Sequence, residues 1–137
     1  MSDVVKREIE VLSANDAPVT VENQERIGRI VALGRALSDQ IRVRMLAMMA
    51  EGRGCCSLPD CGVPAEDQDA GICVCEFEGY FGMGQSRISY HMARLKEAGL
   101  VREEKRGKWS FYSLDSGAAE LLLLDAGELL SMRSAAR

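Results

Sequence analysis

The chain has 137 residues, 47% hydrophobic and 28% charged, with 17 Lys+Arg against 21 Asp+Glu and a formal net charge of -4. That balance suits one folded domain and excludes a disordered tail, a collagen-like fibre and a disulfide-stapled miniprotein. No apolar run nears the ~18–20 residues of a membrane span, and the charged residues 1–10 hold no apolar signal core, so a cytoplasmic protein without a membrane partner is expected.

Residues 1–20 have weak periodicity and read as an arm or a short extra helix. From about residue 22 to 37, Ile27, Ile30, Val31 and Gly34 recur at helical spacing, with Arg26, Arg29 and Arg35 outside. Ser38-Asp39 caps a second helix whose Ile41, Met45, Met48 and Met49 share one face, and Gly52 or Gly54 should end it. A methionine stripe of this kind is core rather than a ligand box. Residues 52–72 carry Pro59, Pro64 and four glycines, and neither helix nor strand period survives there. They read as an irregular acidic loop, long enough to be functional.

A short helix is expected at residues 74–81, ending at Gly82, and a stronger one at 84–98, with Ile88, Met92 and Leu95 spaced for burial. Short helix, tight turn and second helix form a helix-turn-helix. Two strand-like runs, 101–105 and 108–114, flank Arg106-Gly107 as a hairpin. Residues 116–132 form a leucine-rich helix whose apolar positions exceed one stripe, as burial between two subunits would explain; 133–137 is a tail. The fold class is therefore mainly α with a β-hairpin wing: a dimeric winged helix-turn-helix spanning residues 21–132.

Charge is unevenly placed. Residues 55–79 hold six acids and no Lys or Arg, whereas 84–108 hold seven bases against three acids. The local excess, rather than the average, is what a phosphate backbone would meet. In a winged helix the second helix of the motif enters the major groove and the hairpin touches backbone or minor groove. Gln85, Ser86, Arg87 and Ser89 fall in its first turns, where Gln suits adenine, Arg suits guanine and Ser suits either. Tyr90 and His91 follow on the same solvent-facing arc, with Arg94 a turn further on. A partly buried histidine satisfied by a neighbour is the alternative for His91. Lys105, Arg106 and Lys108 at the hairpin tip suit phosphate contact.

All five cysteines, Cys55, Cys56, Cys61, Cys73 and Cys75, fall within 21 acidic, turn-rich residues. An odd number in a reducing compartment argues against a disulfide framework, and the spacing lacks the Cys-x2-Cys knuckle of zinc modules. Extended residues i and i+2 point to one side, so Cys73 and Cys75 can chelate one ion together; in a helix they lie about 200° apart. A shared ion should therefore hold Cys73 outside the helix that follows, or distort its first turn. Thiolates select soft acceptors, which include Cu(I), Zn(II), Cd(II), As(III) and Sb(III). Disulfide formation, making a redox sensor, is a rival signal. A thiol-redox enzyme or metal carrier without a DNA role is a rival of another class, but neither a Cys-x-x-Cys nor a Cys–His pairing supports it. No organic cofactor or other catalytic motif is expected.

The stretch CVCEFEGYFGMGQSRISYHMARLKEAGLV (residues 73–101), followed by KRGKWSFYSL (105–114) and preceded by ALSDQIRVRMLAMM (36–49), resembles the ArsR/SmtB winged-helix metalloregulators, above all their arsenic-responsive branch. The resemblance covers about two thirds of the chain. It implies a homodimer formed through the first and last helices. Such a dimer binds a palindromic operator without metal, lets go when As(III) or Sb(III) binds cysteine thiolates, and controls arsenic resistance genes. Two departures stand out. Where that branch places a third cysteine, this chain has Glu78, and its 52–72 loop is longer and brings its own thiols. One loop thiol is expected to replace the missing ligand, Cys55 or Cys56 before Cys61. The last helix has no His, so the family's zinc site there is absent.

Overall fold

The computed structural model describes residues 21–55 and 57–131, with the side chain of Cys55 excepted. The arm 1–20, Cys56, Met132 and the tail 133–137 lie outside the described residues.

Helix α1 (Val21–Leu37) leads into α2 (Gln40–Glu51), which Asp39 caps by accepting the Ile41 amide at 2.7 Å and which Gly52 ends at φ 86°. Two 3-10 turns follow, Arg53–Cys55 and Ala65–Ala70, and then strand β1 (Ile72–Cys73). The helix-turn-helix is α3 (Val74–Phe81) and α4 (Gln85–Glu97), joined through Gly82, a left-handed cap at φ 64°. The wing is β2 (Val101–Arg106) and β3 (Trp109–Leu114), and α5 (Ser116–Leu130) closes the described chain, with Asp115 accepting the Ala118 amide.

Four details differ from the sequence expectations. Ile72 is not loop: it and Cys73 pair antiparallel with Tyr112 and Phe111, giving a three-stranded sheet in the order β1-β3-β2. Two residues are too few to show a period. Gly71 permits the pairing, because a Cβ there would lie 2.3 Å from the Tyr112 carbonyl oxygen. The 52–72 segment is also less irregular than expected, since 3-10 turns leave no hydrophobic stripe to read. The hairpin turn is Gly107-Lys108, one residue later than expected, so Arg106 ends β2 opposite Trp109. On α1, Leu33 and Ala36 are the buried residues, whereas Ile27 and Val31 are more than two-fifths exposed.

The core gathers Met45 from α2, Ile72, Phe77, and Ile88, Met92 and Leu95 from α4, each at most 1% exposed. Burial of side chains this large stabilises by roughly 1.5–3 kcal/mol apiece, which holds α4 rigidly against α2 and α3. The methionine stripe is core, as read from the sequence. Arg26 on α1 pairs with Asp125 at 2.6 Å on α5. Leu122, Ala119 and Ala126 pack inward, while Leu121, Leu123, Leu124 and Leu130 stay 59–81% exposed.

Candidate DNA-binding surface and thiol site

The buried stripe of α4 fixes its opposite face outward. Gln85, Ser86, Arg87, Ser89 and Tyr90 are exposed there, all within the first two turns. Arg94 is half-buried: its guanidinium lies 5.0 Å over the Tyr90 ring and donates to Glu97 at 2.8 Å. Its pKa is raised by the hydrogen bond to Tyr90 and then by those to Glu97.

His91 departs from the expected arc. It is 6% exposed, and its Nδ1 stands 2.9 Å from Nη1 of Arg42, itself buried in α2. Arg42 can only donate, so Nδ1 is the acceptor and the ring is neutral. Burial lowers the His91 pKa, and Arg42 and Arg87 lower it further against the pull of Asp39. Arg42 also donates to the carbonyls of Ala36 and Arg35, at 3.0 and 2.8 Å. One guanidinium thus ties the α1–α2 corner to α4. His91 is buried against Arg42, and the satisfied-histidine alternative is the one observed.

On the wing, Lys105 and Lys108 are exposed, with the Lys108 ammonium 4.9 Å over the Trp109 ring. Arg106 is not free. It pairs with Glu104 on its own strand and with Asp69 and Asp67 of the second 3-10 turn, at 2.8 and 3.4 Å. Its pKa is raised, first by the hydrogen bond to Asp69 and then by Glu104; that of Asp69 is lowered by the same bond to Arg106.

The thiols converge between these surfaces. Strand pairing holds Cys73 extended (φ -79°, ψ 151°) as the residue before α3, outside the helix, the first of the two arrangements the chelation argument allows. Cys75 lies in the first turn, with its Sγ 3.4 Å from that of Cys73. Burial pushes the Cys75 thiol up, and its interactions with Cys61, and with Cys73 to which it donates at 3.4 Å, push it further. Cys61, ranked last of the loop thiols in the sequence, is among the described residues the loop thiol that acts on Cys75. Where the Cys55 and Cys56 side chains sit lies outside the described residues. Both thiols of the pair line an open groove of about 350 Å³ whose other walls include Glu78, Gln85, Lys108 and Trp109. Among the described residues, no group of three His, Cys, Asp or Glu side chains is placed to hold a metal ion.

Sequence reasoning missed the anchor of this site. Glu76, 2% exposed, accepts the Cys73 amide at 2.9 Å and receives both Arg53 nitrogens, at 2.8 and 2.5 Å. Arg53 also donates to the Gly71 carbonyl at 2.9 Å, so one arginine clips the two ends of the cysteine-bearing segment together. A Glu at the third helical position was the available signal, since that position reaches back to the residue before the helix. Arg42, the partner of His91, left no comparable trace.

The family model "Bacterial regulatory protein, arsR family" matches residues 69–103, from the acidic turn through α3 and α4 into β2. The uncharacterized HTH-type transcriptional regulator YbzH of Bacillus subtilis is 32% identical over 88 residues, 61% of this chain and 81% of that one. The chain belongs to the ArsR family. The "putative arsenical resistance operon repressor ArsR2" of Halobacterium salinarum is 46% identical over 44 residues, 32% of this chain. The chain spans only 37–49% of the length of the first arsenic-resistance relatives it matches. The homodimeric winged helix-turn-helix domain Mb0332 of Mycobacterium bovis superposes with a TM-score of 0.56 at 20% identity, covering 82% of this chain and 92% of that one. That likeness establishes the winged helix-turn-helix fold. Family and fold are those of DNA-binding transcription regulators, not enzymes. No described helix is long and apolar enough to cross a membrane.

Proposed function

We propose that this ArsR-family chain is an operator-binding repressor of arsenic resistance genes, released when As(III) or Sb(III) binds Cys73, Cys75 and one loop thiol. The observation that carries the reading is the Cys73–Cys75 pair, 3.4 Å apart, opening into a groove walled by Gln85 of α4 and Lys108 of the wing. An ion captured there acts on both elements that would touch DNA. Cys61 is the third ligand we favour, because it acts together with Cys73 to raise the Cys75 pKa; Cys55 and Cys56 are the other donors.

The raised Cys75 pKa bears on the choice of ion. Zn(II) or Cd(II) must expel the thiol protons into solution, at a cost that grows with pKa. Arsenous acid need not: three S–H and three As–OH bonds break, three As–S bonds form, and the protons leave in three waters.

The two α4 helices of a homodimer, joined by the leucines of α5 and the exposed Ile27 and Val31 of α1, would enter successive major grooves of a palindromic duplex about 34–36 Å apart. Residues 84–98 would read bases through Gln85, Ser86, Arg87 and Ser89, with Tyr90 and Arg94 beside them. The wing, 101–114, would hold backbone through Lys105, Arg106 and Lys108. A coupling of ~3 kcal/mol would give roughly 150-fold release.

The test is fluorescence anisotropy on the duplex that the reduced protein selects from a random-sequence pool. Near-stoichiometric arsenite should release the DNA, Cys73→Ser or Cys75→Ser should abolish release, and Cys61→Ser should weaken it at least tenfold. Release by Cd(II) or Zn(II) but not arsenite would overturn the ion, and normal release from both Cys73→Ser and Cys75→Ser would overturn the site. The same 3.4 Å contact supports a second reading, oxidation to a Cys73–Cys75 disulfide with peroxide reduced to water. Release by peroxide without any thiophilic ion would favour it.

A further inference from the structure

The acidic turn Ala65–Ala70 makes a contact that the DNA-binding reading leaves unused. It folds onto the wing so that Arg106 Nη1 donates to Asp69 Oδ1 at 2.8 Å, to Asp67 Oδ1 at 3.4 Å and to the Glu66 carbonyl at 3.3 Å. Arg106 Nη2 faces the second Asp69 oxygen at 3.4 Å. Two carboxylate oxygens against two guanidinium nitrogens is the fork that arginine also offers a phosphate. Arg106 stands between the exposed Lys105 and Lys108, at the tip that would meet backbone. The Asp69 side chain is 72% exposed, so the contact lies at the surface, where ion pairs are weak and exchange readily.

We propose that the acidic turn is a built-in competitor for the DNA backbone: Asp67 and Asp69 hold Arg106 in the free protein, and a phosphate takes their place on DNA. The proposal rests on the reading of the wing as a backbone-contacting element. Glu104 also binds Arg106, but it rides on the same strand and moves with it. The turn lies between Cys61 and Cys73, so an ion that ties those thiols together also limits how far the acids can withdraw. The segment that senses the ion would then be the segment that withholds the arginine.

The electrostatic share of DNA binding needs no particular sequence, so a labelled random duplex of about 30 base pairs is the probe, with the full-length reduced protein. Anisotropy is read from about 50 to about 200 mM salt. Asp67→Asn/Asp69→Asn should bind about three- to tenfold tighter at the low end, with a steeper log–log salt slope, because no displaced carboxylates are left to take up cations. Arg106→Gln should weaken binding in the native background and by a larger factor in the double variant, since residues sharing an interaction are not additive. Unmoved urea midpoints confirm that every variant is folded. If the native protein binds and Asp67→Asn/Asp69→Asn binds no tighter, or Arg106→Gln costs the same in both backgrounds, the competitor is overturned and the DNA reading stands. If neither protein binds the duplex at any salt, both are overturned.

Discussion

Two arginines grip the same cysteine-bearing segment, and they do so in opposite ways. Arg53 meets Glu76 where the carboxylate is 2% exposed and already accepts a backbone amide, while Arg106 meets Asp69 where the carboxylate is 72% exposed. Removing one partner of a buried pair strands the other without water, at a cost of several kcal/mol, whereas surface pairs can exchange for solvent, salt or another anion. The first grip is therefore architecture. It fixes Cys73 just outside α3 and closes the segment at its base. The second can be traded, and it lies next to the surface where a phosphate would arrive.

The contrast can be broken from the strong side first. Glu76→Ala should destabilise the fold by about 3 kcal/mol, read as a lower urea midpoint, because Arg53 and the Cys73 amide lose their common acceptor. An effect below about 0.5 kcal/mol would mean that this grip too is only a surface contact. Arg106→Gln should leave the midpoint unmoved within error, although it removes more ion pairs.

A smaller effect sharpens the comparison through pH. His91 is buried and neutral, with its folded-state pKa below the ordinary 6.5 because of burial and then Arg42 and Arg87. As pH falls through 6.5 the unfolded chain takes up a proton that the folded chain refuses, so stability is full above that value and declines below it. Acidification to about pH 5 should lower the thermal midpoint of the native protein, and His91→Gln should reduce the decline. Equal declines would remove His91 from the buried network that positions α4.

Much of the fold was legible because its signals are local. The Ile88, Met92 and Leu95 spacing, the Asp39 cap and the stops at Gly52 and Gly82 each act within a few residues, and α2, α3 and α4 follow them. The Cys-x-Cys spacing likewise asked for Cys73 outside the helix or a distorted first turn, and the backbone takes the first. What escaped is long-range. Strand β1 exists only because β3 is there to pair with it. His91 is buried because Arg42, 49 residues away, takes its Nδ1. Arg106 is held by acids 37 and 39 residues earlier. No period or cap encodes such partners. The acidic composition of residues 65–70 beside a basic hairpin was a hint of attraction, but it named neither the arginine nor the aspartates.

The most direct test of the link between the thiol pair and the DNA surface is reciprocal binding: arsenite affinity of the reduced protein, measured with and without saturating selected duplex at one salt concentration. If the groove walled by Gln85 and Lys108 couples the two, DNA must weaken arsenite binding by the same factor by which arsenite weakens DNA binding. An arsenite affinity unchanged by DNA would contradict that link, whatever the thiols bind.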